Sequence, residues 1–225
     1  LTSQQPRFFG RRRGKRLRTT AQGLVETLLP SLSFSLPPGE QKLDPATLFT
    51  KPPRQIWLEI GFGGGEHLAW QAAQHPQIGL IGAEVFLNGI ASLLGHVEAH
   101  RLDNIRIYAE DVRQLLPRLP AHSLSRVFIL FPDPWPKSRH AERRFVHDSN
   151  LDLLAPLMPP GALLRIATDH EVYKDWARRV MTGRADFRDV TIDAGRKPED
   201  WPTTRYEAKA AREGRTPIFL TFERV

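Results

Sequence analysis

Residues 126–136 limit the fold more than any other stretch of this chain. Val127-Phe128-Ile129-Leu130-Phe131 is an unbroken apolar run, and Pro132-Asp133-Pro134-Trp135-Pro136 follows it at once. Five consecutive apolar residues suit a strand covered on both faces, as in a parallel sheet. Three prolines in five positions cannot extend that strand, because proline brings no N–H to the ladder. A strand is therefore expected over 126–131, with a stiff turn that delivers Asp133 to its carboxyl end beside Trp135. In open α/β sheets that edge is where ligands bind. The segment that follows carries Lys137, Arg139, His140, Arg143 and Arg144 against a single acid, Glu142. These cations can hold a phosphate backbone within reach of the carboxylate.

The rest of the core reads as alternating strand and helix. Strands are expected at 56–60, 80–85, 105–109 and 162–167, with 187–192 and 217–222 as the last two. Helices are expected at 66–75, 87–102, 112–116, 145–158 and 172–181, with a polar helix over 205–212. This alternation implies βαβ units and a mostly parallel sheet of seven strands with helices on both faces, an α/β fold. No apolar crossover helix precedes the final strand, so an antiparallel closing pair is expected. Ahead of this domain, 55–225, residues 1–19 are polar, basic and aperiodic, and read as a flexible arm. Leu24, Val25, Leu28 and Leu29 suit a short helix ended by Pro30. Residues 30–54, with Pro37, Pro38, Pro45, Pro52 and Pro53, read as a linker.

Charge is distributed unevenly. The net charge is +7. Arg7, Arg11, Arg12, Arg13, Lys15, Arg16 and Arg18 supply seven positive charges with no acid among residues 1–25, so the remainder is balanced. A localised basic arm implies a polyanionic partner. With no cysteine, a disulfide framework, a thiol nucleophile and cysteine-ligated zinc are excluded. The eight histidines show no metal-ligand spacing, so no metal is expected. No apolar run is long enough to span a membrane, and no apolar signal core follows the basic start. A cytoplasmic protein with no membrane partner is expected.

Glu59-Ile60-Gly61-Phe62-Gly63-Gly64-Gly65 closes the first strand and opens the first helix. Glycine permits positive φ and close approach of a ligand to the backbone. Gly61, Gly63 and Gly65 stand on alternate positions, unlike the Gly-x-Gly-x-x-Gly of dinucleotide sites. Glu59 precedes the turn, and Glu84 follows about 20 residues later, where a carboxylate can accept bonds from ribose hydroxyls. No Gly-Lys-Ser/Thr follows the turn, which argues against nucleotide hydrolysis.

This combination resembles the Rossmann-like methyltransferases that bind S-adenosylmethionine. The resemblance narrows with Gly82-Ala83-Glu84-Val85, Phe131-Pro132-Asp133-Pro134-Trp135-Pro136-Lys137, Arg139-His140, Arg143-Arg144, Ala167-Thr168-Asp169 and Pro202-Thr203-Thr204-Arg205-Tyr206-Glu207. Together, in this order, they resemble the bacterial tRNA (guanine-N7)-methyltransferase family. The match implies a cofactor site of Glu59, Gly61, Gly63, Gly65, Glu84, Asp111 and Asp133, with Asp133 also catalytic. It implies that Lys137, Asp169, Thr204, Arg205, Tyr206 and Glu207 contact the target nucleotide. Arg139, His140, Arg143 and Arg144 would contact tRNA, with Arg11, Arg12 and Arg13 of the arm. It also implies methylation of N7 of guanine 46 in the variable loop. Glu142 stands where the family usually has a cation, and Tyr206 where it has Phe.

Alternatives remain at this point. Asp133-Pro134-Trp135 is reminiscent of the loop of enzymes that methylate exocyclic amines. A non-catalytic RNA-binding protein could keep the same fold. Thr204 and Glu207 also fit a helix capping box, and Asp169 a helix N-cap. Monomer and homodimer are both left open.

Overall fold

In the computed structural model, which describes residues 10–225, seven strands form one sheet, and the order in which the chain lays them down reverses near its middle. The N-terminal part has α1 (Thr19–Thr27) and α2 (Leu29–Leu32). The alternating part then runs β1 (Gln55–Ile60), α3 (Glu66–Gln74), β2 (Ile78–Ala83), α4 (Leu87–His100), β3 (Ile105–Tyr108), α5 (Val112–Leu115), β4 (Arg126–Leu130), α6 (Asp148–Leu154), β5 (Leu163–Thr168) and α7 (Glu171–Thr182). It closes with β6 (Phe187–Asp189), α8 (Arg205–Arg212) and β7 (Ile218–Arg224). The strand order is β3-β2-β1-β4-β5-β7-β6. The first five are parallel, and β7 runs antiparallel between β5 and β6. This is the Rossmann-like arrangement with the antiparallel closure that the sequence implied.

Alternation along β1 explains the two-sided core. Ile56, Leu58 and Ile60 join one apolar cluster and Trp57 joins the other, which includes Leu68 of α3 and Leu93 of α4. Glu59 falls on the same face as Trp57 and is buried. The order reverses between β1 and β4, so the loops after these two strands diverge and leave a crevice. The glycine turn follows one of them and Asp133 the other.

Several boundaries move from expectation for local reasons. Strand β4 stops at Leu130, and Phe131 takes φ 48°. The expected helix over 145–158 starts only at Asp148, where His147 Nδ1 accepts from Ser149 N at 3.3 Å. Beyond Leu154 it tightens into a 3₁₀ turn containing Pro156. The expected strand over 187–192 ends at Asp189, whose carboxylate accepts from Thr191 N and turns the chain.

The two N-terminal segments need correction. The stretch expected as a linker lies on the domain. Leu24, Val25, Leu28 and Leu29 pack on the second cluster. Ser33 bridges Ile107 in parallel, and Phe34 N donates to Ile107 O at 3.2 Å, so β3 is not a bare edge. The arm, over its described part, is tied down. Leu87 N donates to Arg12 O at 3.0 Å, Gly14 N to Asn88 Oδ1 at 2.8 Å, and Asn88 Nδ2 to Lys15 O at 2.7 Å. The first-turn N–H groups of a helix have no partner within it, so the start of α4 is a natural dock for passing backbone. Residues 1–9, with Arg7, lie outside the described residues.

Candidate active site

A cavity of about 380 Å³ opens at the carboxyl ends of β1, β2, β3 and β4. That size suits a small molecule, for which about 300–1,000 Å³ is usual. Gly61, Gly63, Glu84, Asp111, Asp133 and Tyr206 line it, together with Arg11, Phe131, Trp135 and Arg143. Sequence positions up to 195 apart thus meet at one sheet edge.

The glycine turn is a cradle. Gly61, Gly63 and Gly65 all have positive φ, at 69°, 55° and 78°. Gly61 lines the cavity, and the space where a side chain would stand is open. Gly65 N-caps α3 in the left-handed conformation, directing the helix start at the turn. A side chain at Gly65 would stand 2.7 Å from Leu93. The turn therefore needs glycine for shape and for room.

Glu84 falls just past β2 and binds this turn to it. Its Oε2 accepts from Gly63 N at 2.9 Å, and Oε1 accepts from Val85 N and Phe86 N at 2.8 and 2.9 Å. Burial pushes the Glu84 carboxyl above its ordinary range; the backbone donors oppose this and the negative charge of Asp133 adds to it. A carboxylate has about four acceptor positions, so one remains for an incoming hydroxyl. Asp111, also buried, caps α5 through Arg113 N at 3.0 Å and receives Arg113 Nη2 at 2.5 Å. Glu59 stands apart from the main cavity. It lines a small neighbouring space shared with Gly61, Phe131 and Tyr206.

Asp133 is exposed at the rim on a strained turn. Phe131 and Trp135 have φ of 48° and 41°. Each precedes a proline, which disfavours the right-handed helical region for it. Left-handed backbone at such residues costs on the order of 1–3 kcal/mol each and persists only where the surroundings enforce it. Here Phe131 N donates to Ala167 O at 2.7 Å. Arg144 supplies the other hold. Its Nε donates to Pro134 O at 3.0 Å and its Nη2 to Trp135 O at 2.9 Å, and its guanidinium lies 4.6 Å from the centre of the Trp176 ring.

Arg144 is therefore a correction: expected on tRNA, it is 4% exposed and clamps the Asp133 turn from behind. If the expected methyl transfer to tRNA takes place here, Arg144→Ala should lower kcat about 10–100-fold with KM for tRNA within about twofold, since small misplacements of a reacting group cost rate. Steady-state kinetics check this; raised KM with intact kcat would return Arg144 to the RNA surface.

The other expected contacts divide. Lys137 and Arg139 are exposed beside the turn. His140 sits edge-on to Trp135 at 5.8 Å, and Arg143 lies 5.1 Å over that ring. Burial, then Arg143, Arg139 and Lys137, hold His140 below the usual imidazole range. Asp169 does not line the cavity; Arg215 Nε donates to it at 2.7 Å, and His170 occupies the N-cap of α7. Thr204 and Glu207 form the capping box of α8, at 3.3 and 3.4 Å. That cap aims Arg205 and Tyr206 at the glycine turn. Arg205 pairs with Glu66 at 3.1 Å, and Tyr206 stacks on Phe131 at 6.1 Å.

The sequence reading missed His67 and Gln71. Both are buried on α3, and His67 Nδ1 lies 2.7 Å from Glu59 Oε2. Two polar residues four apart on an otherwise apolar helix face were the available signal.

Comparison with known proteins gives concordant matches. A family described as "Putative methyltransferase" matches residues 53–220. A protein of Paramagnetospirillum magneticum named tRNA (guanine-N(7)-)-methyltransferase is 53% identical, over 99% of this chain and 94% of its own length. One of the same name from Rhodospirillum rubrum is 49% identical, over 99% and 89%. Among solved structures, the 16S rRNA methyltransferase KamB superposes with a TM-score of 0.54 at 16% identity, over 77% of this chain and 89% of that one. An rRNA methylase from Streptococcus thermophilus gives 0.53 at 10% identity, over 76% and 87%.

Proposed function

This chain belongs to the tRNA (guanine-N7)-methyltransferase family, and on that premise we propose that it methylates N7 of guanine 46 in the variable loop of tRNA. The single observation that carries the reading is the meeting of the glycine cradle and Asp133 in the wall of one cavity at the sheet's switch point.

The residues present fit S-adenosylmethionine: a glycine turn open at Gly61 and bordered by Tyr206 at Gly63 for its amino-acid end, Glu84 with an acceptor position for its ribose, and Asp111 toward its adenine. When bound, it supplies a methyl group on a positively charged sulfur. Guanine N7 is an unprotonated lone pair at neutral pH, so the protein is not required to remove a proton from it. What the chain contributes is alignment, and negative charge where the purine becomes cationic. Asp133 supplies that charge at the rim, or accepts bonds from the guanine N–H edge.

Lys137 and Arg139 face outward on the same side and suit the tRNA backbone. Asp169, Thr204 and Glu207 act from behind, by fixing Arg215 and the start of α8. The exposed cations of the arm add a salt-dependent contact. Replacing Arg13 and Arg16 with Ala should reduce the slope of log affinity against log salt by about 1–2. Titrations at several salt concentrations check this; an unchanged slope would remove the arm from the interface. Among the described residues no helix is long and apolar enough to cross a membrane, and a cytoplasmic enzyme acting on tRNA is part of this proposal.

The test is incubation of unmodified tRNA with labelled methyl donor, followed by digestion to nucleosides. N7-methylguanosine should appear, and should vanish when guanine 46 is replaced. Label on an exocyclic amine would overturn the reading.

A further inference from the structure

Glu59 carries a buried carboxylate on a sheet face otherwise packed with apolar groups, and the structure shows how it is held. His67 Nδ1 stands 2.7 Å from Glu59 Oε2, and both side chains are almost wholly enclosed. Behind His67, Gln71 Nε2 lies 3.1 Å from His67 Nε2 and donates to Asp200 O at 2.8 Å. The His67 ring is fixed between Phe128 and Trp201, at 4.7 and 5.3 Å. A backbone carbonyl only accepts, so the Gln71 amide must present nitrogen to Asp200. The other N–H of that amide then goes to His67 Nε2, which must accept. His67 therefore carries its proton on Nδ1 and donates it to Glu59. The chain fixes both the rotamer of Glu59 and its role as acceptor. Glu59 and His67 together line the small space beside Gly61 and Tyr206.

We propose that His67 is a positioning residue for the methyl donor, holding Glu59 so that its carboxylate meets the ammonium of the donor's amino-acid end. This rests on the reading of the glycine turn as the seat of S-adenosylmethionine. A cation seated there answers the buried charge that a lone imidazole N–H satisfies only in part. Gln71 sets the tautomer, and through Asp200 it joins Glu59 to the segment that leads into α8.

Two ligands separate this from a merely structural role. S-adenosylhomocysteine carries the ammonium; 5′-methylthioadenosine lacks the whole amino-acid end. In calorimetric titrations of the full chain, His67→Leu should weaken S-adenosylhomocysteine about tenfold, the scale of one charge-assisted hydrogen bond. Affinity for 5′-methylthioadenosine should not change. Gln71→Leu should move the same ligand by a smaller factor. His67→Gln, whose amide can donate to Glu59, should restore most of the loss. Equal loss of both ligands, or none of S-adenosylhomocysteine, overturns the role of His67. If His67→Leu does not fold, Gln71→Leu makes the same comparison, with His67→Gln as the variant expected to stay near the parent. A parent chain that binds neither ligand overturns the reading of the cavity, and this inference with it.

Discussion

Asp133→Ala should reduce kcat about 10²–10³-fold, the usual scale for removing one preorganised electrostatic group, while S-adenosylhomocysteine affinity stays within about threefold. The two effects separate because of where the residue sits. Glu84 and Asp111 are bonded into the cavity wall, whereas Asp133 is exposed at its rim on a turn clamped by Arg144. On the proposed role, truncation removes charge facing the incoming purine and leaves the cradle unchanged. Asp133→Asn refines the point. An amide keeps shape and one acceptor but loses the charge, so it should recover little if the charge matters most. Single-turnover rates with tRNA, set beside ligand titrations, check both variants. A wild-type single-turnover rate for Asp133→Ala would remove the residue from the chemistry.

The second large effect is expected at Gly89, and there two forces oppose each other. Gly89 lies inside α4, where alanine is worth about 1 kcal/mol through helix propensity. A Cβ at this position would run into the backbone carbonyl oxygen of Gly63. Overpacking of this kind costs about 1–3 kcal/mol, occasionally more, and the obstacle is backbone that Glu84 already holds. The clash wins. Gly89→Ala should lose about 2 kcal/mol, or about 4–8 °C in Tm for a chain of this size. It should also weaken S-adenosylhomocysteine at least tenfold, because Gly63 has to move. Gly95 in the same helix is the internal control, with nothing within 4 Å of a Cβ there. Gly95→Ala should be neutral or stabilising by up to about 1 kcal/mol. Thermal melts of the two variants side by side test the clash; equal behaviour would refute it.

How much of this was legible depended on whether the cause was local. The run Val127 to Phe131 and the prolines after it announced a covered strand and a hard stop, and both are found. The missing apolar crossover before β7 announced the antiparallel closure. Long-range packing was not legible. Nothing in the order of Arg143 and Arg144 says that one borders the cavity and the next is buried against Trp176. A basic run looks uniform along the chain, and only the fold divides it between solvent and core. The described part of the arm was misjudged for a related reason: its partners, Leu87 and Asn88, lie some seventy residues away. The local signal at Thr204 and Glu207 fitted a capping box as well as a ligand contact, and the structure makes it a cap. Glu59 was picked out from its position before the glycine turn, but its dependence on His67 required knowing which face of α3 meets β1.

The central claim is that the cavity at the switch point seats the methyl donor on the glycine cradle with Asp133 opposite. A crystal structure of this chain with S-adenosylhomocysteine tests it most directly. The account predicts the homocysteine end over Gly61–Gly65, the ribose at Glu84, and the sulfur facing Asp133. Ligand bound elsewhere on the chain, or bound here with its sulfur turned away from Asp133, would contradict it.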